Sequence, residues 1–326
     1  MKPRAVSNPI TILGGGPAGA AAAIALRSSG ADVAVVEKSK FPRHKVCGEF
    51  LSPESRLAFE SFGIDTSVTP PIRRVALRFA RAEKRFALPE AAFGWSRYAM
   101  DAALIDRARS LGAEVASESR IAPDIVATGR RSSPPRGRRL FGFKAHFTGP
   151  SNDFVELYFF RGGYVGVNPV EGGVTNVCGL LPEDELLPSR FDLDSIAATF
   201  APLRERLAPL TRMFPWMHVG PLQFGPQKQT GSGLHVGDAR EFVDPFTGSG
   251  MTAALLSGQA AAASILQDEE ASGYERRVRA MLGKPFAFSA VFRETLLRGW
   301  AERMVGFVPG ALLYRLTRPR CSSLSY

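Results

Sequence analysis

Three glycines and one carboxylate near the start of this 326-residue chain have the spacing of a dinucleotide site. Residues 14–19 read Gly-Gly-Gly-Pro-Ala-Gly, so Gly14, Gly16 and Gly19 satisfy G-x-G-x-x-G, with Pro17 and Ala18 inside the turn. Gly14 permits a tight turn, Gly16 lets the backbone approach a diphosphate, and Gly19 lets a helix pack against a strand. Glu37, 23 residues after Gly14, is placed to accept hydrogen bonds from ribose hydroxyls. An acid there repels a 2′-phosphate, so the site suits FAD or NAD better than NADP. The elements that must position these residues are legible around them. Residues 9–13 form a short apolar strand, residues 17–29 an Ala-rich helix closed by Gly30, and residues 32–36 a second strand. The helix N-terminus supplies unpaired N–H groups and a positive dipole end to the diphosphate.

A second set of residues lies more than two hundred positions later. Residues 233–238 read as a strand ending in Gly-Asp, followed by the turn at 242–251 and a small-residue helix over 252–266. Asp238 at a strand end suits a ribityl hydroxyl. The Gly248-Ser249-Gly250 turn presents another helix N-terminus, suited to the negative charge at N1/O2 of a reduced flavin. NAD has no use for this second half-site; the longer FAD does.

With both half-sites read, the chain resembles the FAD-dependent oxidoreductases of the aromatic-hydroxylase fold, most closely the geranylgeranyl reductase-like branch. The resemblance rests on Gly14 to Gly19 with Glu37, on residues 41–53 (Phe-Pro-Arg-His-Lys-Val-Cys-Gly-Glu-Phe-Leu-Ser-Pro), on Arg97-Tyr-Ala-Met-Asp101, and on Gly237-Asp238 through Gly250. It implies that Ala18 and Glu37 touch the adenosine and diphosphate, that Cys47 and Gly48 lie beside the flavin, and that Arg97 lies near the FAD. It further places Asp238 on the ribityl or diphosphate and Gly250 with Met251 at the isoalloxazine edge. The electron donor is left open, with NAD(P)H one candidate. The chain departs from the pattern in three places. Ala127-Thr128-Gly129 stands where the family has Ala-Asp-Gly. Residues 164–169, Tyr-Val-Gly-Val-Asn-Pro, replace an aromatic Tyr-x-Trp-x-Phe-Pro strand. Only 11 residues separate Val115 from Ala127, too few for the family's small meander.

Cys47 is the catalytic candidate: a thiol beside a flavin could gate protonation, and the flanking Lys45 would lower its pKa. The alternative is a small residue fitting a tight turn before Gly48. Asp244-Pro245 reads as helix entry or as a neighbour of the flavin's pyrimidine ring. Cys178 and Cys321 read as buried or incidental, and His44 and His235 as local packing.

The implied fold is α/β: a Rossmann-type FAD-binding domain, an inserted antiparallel sheet that floors a substrate cavity, and a helical C-terminal tail. The FAD domain is discontinuous, over 1–68, 96–135 and 226–270, with the substrate domain at 69–95 and 136–225 and the tail at 271–326. Strand-like runs lie at 72–79, 84–88, 140–147, 154–160 and 164–180, the last broken by a Glu171-Gly-Gly hairpin signal. Residues 132–139 read as a domain crossover, and residues 189–213 and 274 onward read as helical.

Composition excludes several classes. Lys plus Arg exceed Asp plus Glu by 41 to 31, a formal +10, but the charge is spread, with one dense run at 130–139 and no interleaved aromatics. Nucleic-acid binding is therefore not expected. Three cysteines and four scattered histidines suggest neither a disulfide framework nor a metal site. A reducing cytoplasm fits. The tail alternates apolar residues (Phe286, Phe288, Phe292, Leu296, Leu297, Trp300, Met304, Phe307) with Arg293, Arg298 and Arg303. Such a stripe suits either packing or peripheral contact with a membrane or greasy substrate. The functional expectation is an FAD-dependent oxidoreductase reducing or dehydrogenating a small apolar isoprenoid- or polyketide-like molecule. A flavin monooxygenase and a flavin-binding protein without turnover are the alternatives. Oligomeric state has no signature.

Overall fold

A computed structural model of the protein describes residues 9–130, 138–245 and 248–297, together with residues 302, 309, 310, 314 and 318. Phe246 and Thr247 of the second motif, most of the basic run and crossover (131–137), Arg298, Trp300, Arg303, Met304, Phe307 and Cys321 lie outside the described residues.

Strand β1 (Ile10–Leu13) buries Thr11 and Ile12 and passes through the glycine turn into α1 (Pro17–Ser28). Pro17 sits in the first turn, where a missing N–H leaves nothing unpaired. Gly30, at φ 83°, carries the chain out past the helix end. β2 (Val33–Val36) then pairs in parallel with β1, Ile10 opposite Val33. After β3 (Phe50–Leu51) and α2 (Glu54–Ser61) come two long strands, β4 (Pro71–Arg78) and β5 (Glu83–Gly94). α3 (Arg97–Ser110) begins where Ser96 Oγ accepts the Ala99 N–H at 3.1 Å. β6 (Glu114–Ala116) and β7 (Ile125–Val126) follow, with no strand between them.

β8 (Leu140–Thr148), β9 (Phe154–Phe160), β10 (Gly163–Val170) and β11 (Val174–Pro182) match the runs expected from alternation. The hairpin joining the last two turns at Glu171–Gly173, where Gly172 and Gly173 both adopt positive φ. After α4 (Glu183–Leu186), the expected helix over 189–213 is instead two short pieces, α5 (Leu193–Ala198) and α6 (Ala201–Leu207), followed by β12 (Thr211–Arg212). Arg190 and Phe191 sit at φ 52° and 64°, separating α4 from α5, and Pro202 in its first turn starts α6. β13 (Met217–Val219), β14 (Gly225–Pro226), β15 (Leu234–His235) and β16 (Glu241–Phe242) are short. β15 is shorter than expected because Gly237, at φ 56°, already turns the chain. α7 (Gly250–Leu266) and α8 (Ala271–Leu297) complete the described chain.

One sheet is five-stranded and parallel, in the order β15-β7-β1-β2-β6. A second runs β12-β8-β11-β10-β9-β4-β5-β3, with β13 also on β8, and is antiparallel except between β4 and β9, while β14 and β16 form a third, two-stranded sheet. α1, α3 and α7 pack on the parallel sheet, and α5 and α6 cover one face of the large sheet. On β8, Phe143, Ala145 and Phe147 join that covered face, which turns Lys144 and His146 to the opposite one. Tyr274, Val278, Met281 and Leu282 of α8 are buried in the core around α1 and α7. The start of the amphipathic tail follows them inward at Phe286 and Phe288, whereas Val291 is exposed.

Candidate dinucleotide and substrate cavity

The glycine turn is constrained at two of the positions the fingerprint names and open at the third. Gly14 has φ 109°, and a Cβ there would lie 2.3 Å from the Ala127 carbonyl oxygen. At Gly19 a Cβ would fall 1.9 Å from the Gly14 oxygen, so only glycine allows α1 this close to β1. Gly16 is the open one: a Cβ there would meet nothing nearer than Arg97 Nη2, at 4.0 Å. As N-cap of α1 it has no side-chain partner for the helix's first N–H groups, and Gly16, Pro17 and Ala18 line a large cavity. A second uncapped helix start, Ser249 before α7, brings Gly248, Gly250 and Met251 to the same cavity.

Glu37 lies on the wall at the end of β2. Its carboxylate accepts the Gly15 N–H at 3.0 Å and the Ser39 N–H at 2.9 Å, and pairs with Arg43 at 3.2 Å. Burial alone would raise this carboxyl; the two N–H groups with Arg43 and Lys45 outweigh it and hold it below the usual range. Further along, Arg97 grips Asp101 with Nε and Nη2 at 2.6 and 2.7 Å. Burial raises Asp238, against the pull of Arg130, Arg97 and Lys45. Lys45 itself is pushed down to about 8, by burial first and Arg97 second. Three cations thus act on the half-buried Asp238 carboxyl along a cleft that two helix N-termini enter.

Cys47 and Gly48 line the cavity beside Met251, a place we term its waist. The Cys47 Sγ lies 3.7 Å from Met251 Sδ. The expected thiolate activation by Lys45 is not found: burial pushes the thiol up, and Arg97 and Lys144 offset this only in part. Cys47 is a half-buried thiol on the cavity wall, suited to holding a proton. Cys178, expected to be buried or incidental, lines the cavity and is likewise pushed up by burial. His44 is packed among Tyr98, Phe214 and His146. The His235 ring bonds within its own turn, with its Nδ1 3.0 Å from the Gly233 oxygen. Asp244 is buried beside the α7 entry.

Sequence reasoning missed Glu49. This wholly buried carboxylate accepts from His146 Nε2 at 2.7 Å, from the Arg97 N–H at 2.6 Å and from Lys144 Nζ. One signal was available: Lys144 and His146 alternate with Phe143, Ala145 and Phe147, which places two polar side chains on the inner face of a strand.

Beyond the waist the cavity is mostly apolar, bounded by Val75, Leu77, Leu88, Leu157, Leu180 and Leu222 of the large sheet and its edge, with Phe288 of α8, Tyr314 and Arg318 also on its wall. Its volume is about 1030 Å³ and it runs unbroken from Gly14 to this chamber. The residues fit FAD: two open helix starts, a glycine cradle that a Cβ would fill, and an acid at the end of β2. Gly14, Gly16, Pro17, Ala18, Gly19, Glu37, Cys47, Gly48, Arg97, Asp238, Gly250 and Met251 all lie in or against this cleft.

A family model described as tryptophan halogenase matches residues 9–95. A menaquinone reductase of Mycolicibacterium smegmatis is 31% identical over 127 residues, which are 38% of this chain and 31% of that protein. The match thus spans about a third of the relative's length. The flavin-dependent brominase Bmp2 superposes with a TM-score of 0.75 at 16% identity, over 94% of this chain and 92% of that one. PqsL of Pseudomonas aeruginosa, described as a probable FAD-dependent monooxygenase, superposes with a TM-score of 0.68 at 16% identity, over 91% and 97%. The chain has the α/β fold of FAD-dependent halogenases and monooxygenases and is related to FAD-dependent enzymes.

Proposed function

We propose that this chain is an FAD-dependent oxidoreductase that reduces or dehydrogenates an apolar, isoprenoid- or polyketide-like molecule, with NAD(P)H as electron donor. The observation that carries the reading is the single cavity, polar and glycine-lined at one end and walled by aliphatic side chains at the other. FAD, when bound, supplies reversible hydride and electron transfer to an organic substrate. The chain's own residues do the rest. The α1 and α7 N-termini with Lys45, Arg97 and Arg130 bind the diphosphate and neighbouring negative charge. The aliphatic chamber excludes water and orients an apolar substrate against the waist. Cys47, whose thiol stays protonated, holds a proton at that waist. The reductase reading draws support from the matched menaquinone reductase and from the Cys47-Gly48-Glu49 segment, which fits the geranylgeranyl reductase-like branch.

The runner-up is an oxygen-dependent monooxygenase or halogenase, favoured by the fold relatives. Two measurements decide. Denatured protein should release FAD by chromatography; FMN, NAD or no nucleotide after reconstitution overturns the cofactor. Turnover without oxygen should persist for lipid and polyketide substrates. Product that forms only with O₂, or that carries added halogen by mass, overturns the reductase and leaves the cofactor intact. We also propose peripheral, salt-sensitive membrane contact through the basic surface, which would suit delivery of an apolar substrate.

A further inference from the structure

The Cys47-Gly48 segment is a loop, yet it is tied to the rigid sheet on both sides. From β11, Asn176 Nδ2 donates to the Gly48 carbonyl at 2.8 Å and to the Cys47 carbonyl at 3.2 Å. From β8, Lys144 and His146 reach the Glu49 carboxylate, and the first N–H of α3 reaches it at 2.6 Å. The Glu49 carbonyl accepts the Trp95 N–H at 3.1 Å. Glu49 also holds φ 53°, a left-handed backbone that a non-glycine residue adopts only when its surroundings impose it. The buried ionic contacts are that imposition. Lys144 and Glu49 are both fully buried, so neither charge is tolerable without the other.

We infer that Glu49 is a positioning residue: clamped by Lys144, His146 and the start of α3, it sets the place of Cys47 and Gly48 at the cavity waist, with Asn176 as the second anchor. The loop would otherwise be a mobile surface connection. Clamped, it presents a glycine backbone and a thiol at one fixed height between the nucleotide cleft and the apolar chamber. This holds whether the reaction is reductive or oxygen-dependent, so it stands apart from the function proposed above.

The test reads the loop rather than turnover. The full chain as purified is alkylated with iodoacetamide, and Cys47 and Cys178 are followed separately by peptide mass spectrometry. Glu49→Gln alone strands a buried ammonium and risks misfolding, so it is paired with Lys144→Met, which removes both charges. Asn176→Ala is the independent arm, because it leaves every charge in place. Both variants should label Cys47 about ten-fold faster, on the scale of one lost hydrogen bond to a charged or backbone group, with Cys178 unchanged. Unchanged Cys47 labelling in either variant overturns the inference, since the double variant alone would then report only altered thiol acidity. Equal acceleration of both cysteines also overturns it, because that is general loosening of the sheet.

Discussion

At the scale of single residues, the site is defined by what burial does to charge. Glu37 already serves the Gly15 and Ser39 N–H groups and Arg43, so it organises the glycine turn as well as facing the ribose position. Glu37→Ala should weaken FAD binding by about ten- to a hundred-fold, from roughly 1.5–3 kcal/mol for a charge-assisted bond. Titration of FAD into the deflavinated variant measures this, and an unchanged affinity removes Glu37 from the site. Lys45 gives a pH signature. Its pKa of about 8 in the folded chain lies below the ordinary 10.5. Between those values the unfolded chain holds a proton that the folded chain lacks, so this group's contribution to stability rises with pH across the window. Below about pH 8 its full penalty is present. Lys45→Met should therefore stabilise the flavin-free protein at pH 7 and lose most of that advantage by pH 10.5, read from paired urea midpoints. A difference that does not vary with pH would show that Lys45 is not desolvated. Cys47→Ser should keep FAD and lower turnover by something like 10²-fold if the thiol holds the proton used in catalysis. Unchanged turnover would leave Cys47 a packing residue.

At the scale of elements, the two nucleotide-facing helices depend on one another. α1 is built of alanines, and Gly258 of α7 lies so close to it that a Cβ would sit 2.2 Å from the Ala18 oxygen. Gly258→Ala should cost about 1–3 kcal/mol of stability by overpacking and shift the α1 N-terminus enough to weaken FAD binding. Urea unfolding with and without FAD measures both; a neutral variant would mean that the helices can separate without penalty. These elements also show what sequence could and could not tell. β1, α1, β2 and the strands β8 to β11 were legible because each has its own period and glycine punctuation. The stretch over 189–213 was not, because left-handed turns at Arg190 and Phe191 have no glycine to announce them. The glycine cradle was legible because it is one contiguous motif. The Glu49–Lys144–His146 group was not, because its members stand about a hundred residues apart and meet only through the register of β8. The acidity of Cys47 was misread for a related reason: Lys45 adjoins it in sequence, whereas burial dominates in space.

At the scale of the whole molecule, a net charge of +10 and the packing of the first turns of α8 together bear on membrane contact. Among the described residues, no helix is long and apolar enough to cross a bilayer. Several apolar residues of α8 go to the core and the chamber wall, since Tyr274, Val278 and Leu282 are buried and Phe288 lines the cavity, while Val291 is exposed. Removing the chain after Gly273 would therefore expose the core, and any change in vesicle binding would report unfolding. A fairer comparison sets the full chain against one ending at residue 297. If contact is electrostatic, the full chain should co-sediment with anionic vesicles at low salt and release near physiological ionic strength, where the Debye length is about 8 Å. Neutral vesicles should not bind it at any salt. If residues 298–326 insert apolar side chains, the full chain should hold on in high salt and the shortened chain should not. Identical salt curves for the two chains would assign the contact to the folded body's basic surface alone. No binding to anionic vesicles at low salt would remove membrane contact from the reading, and the apolar substrate would then have to reach the chamber through water.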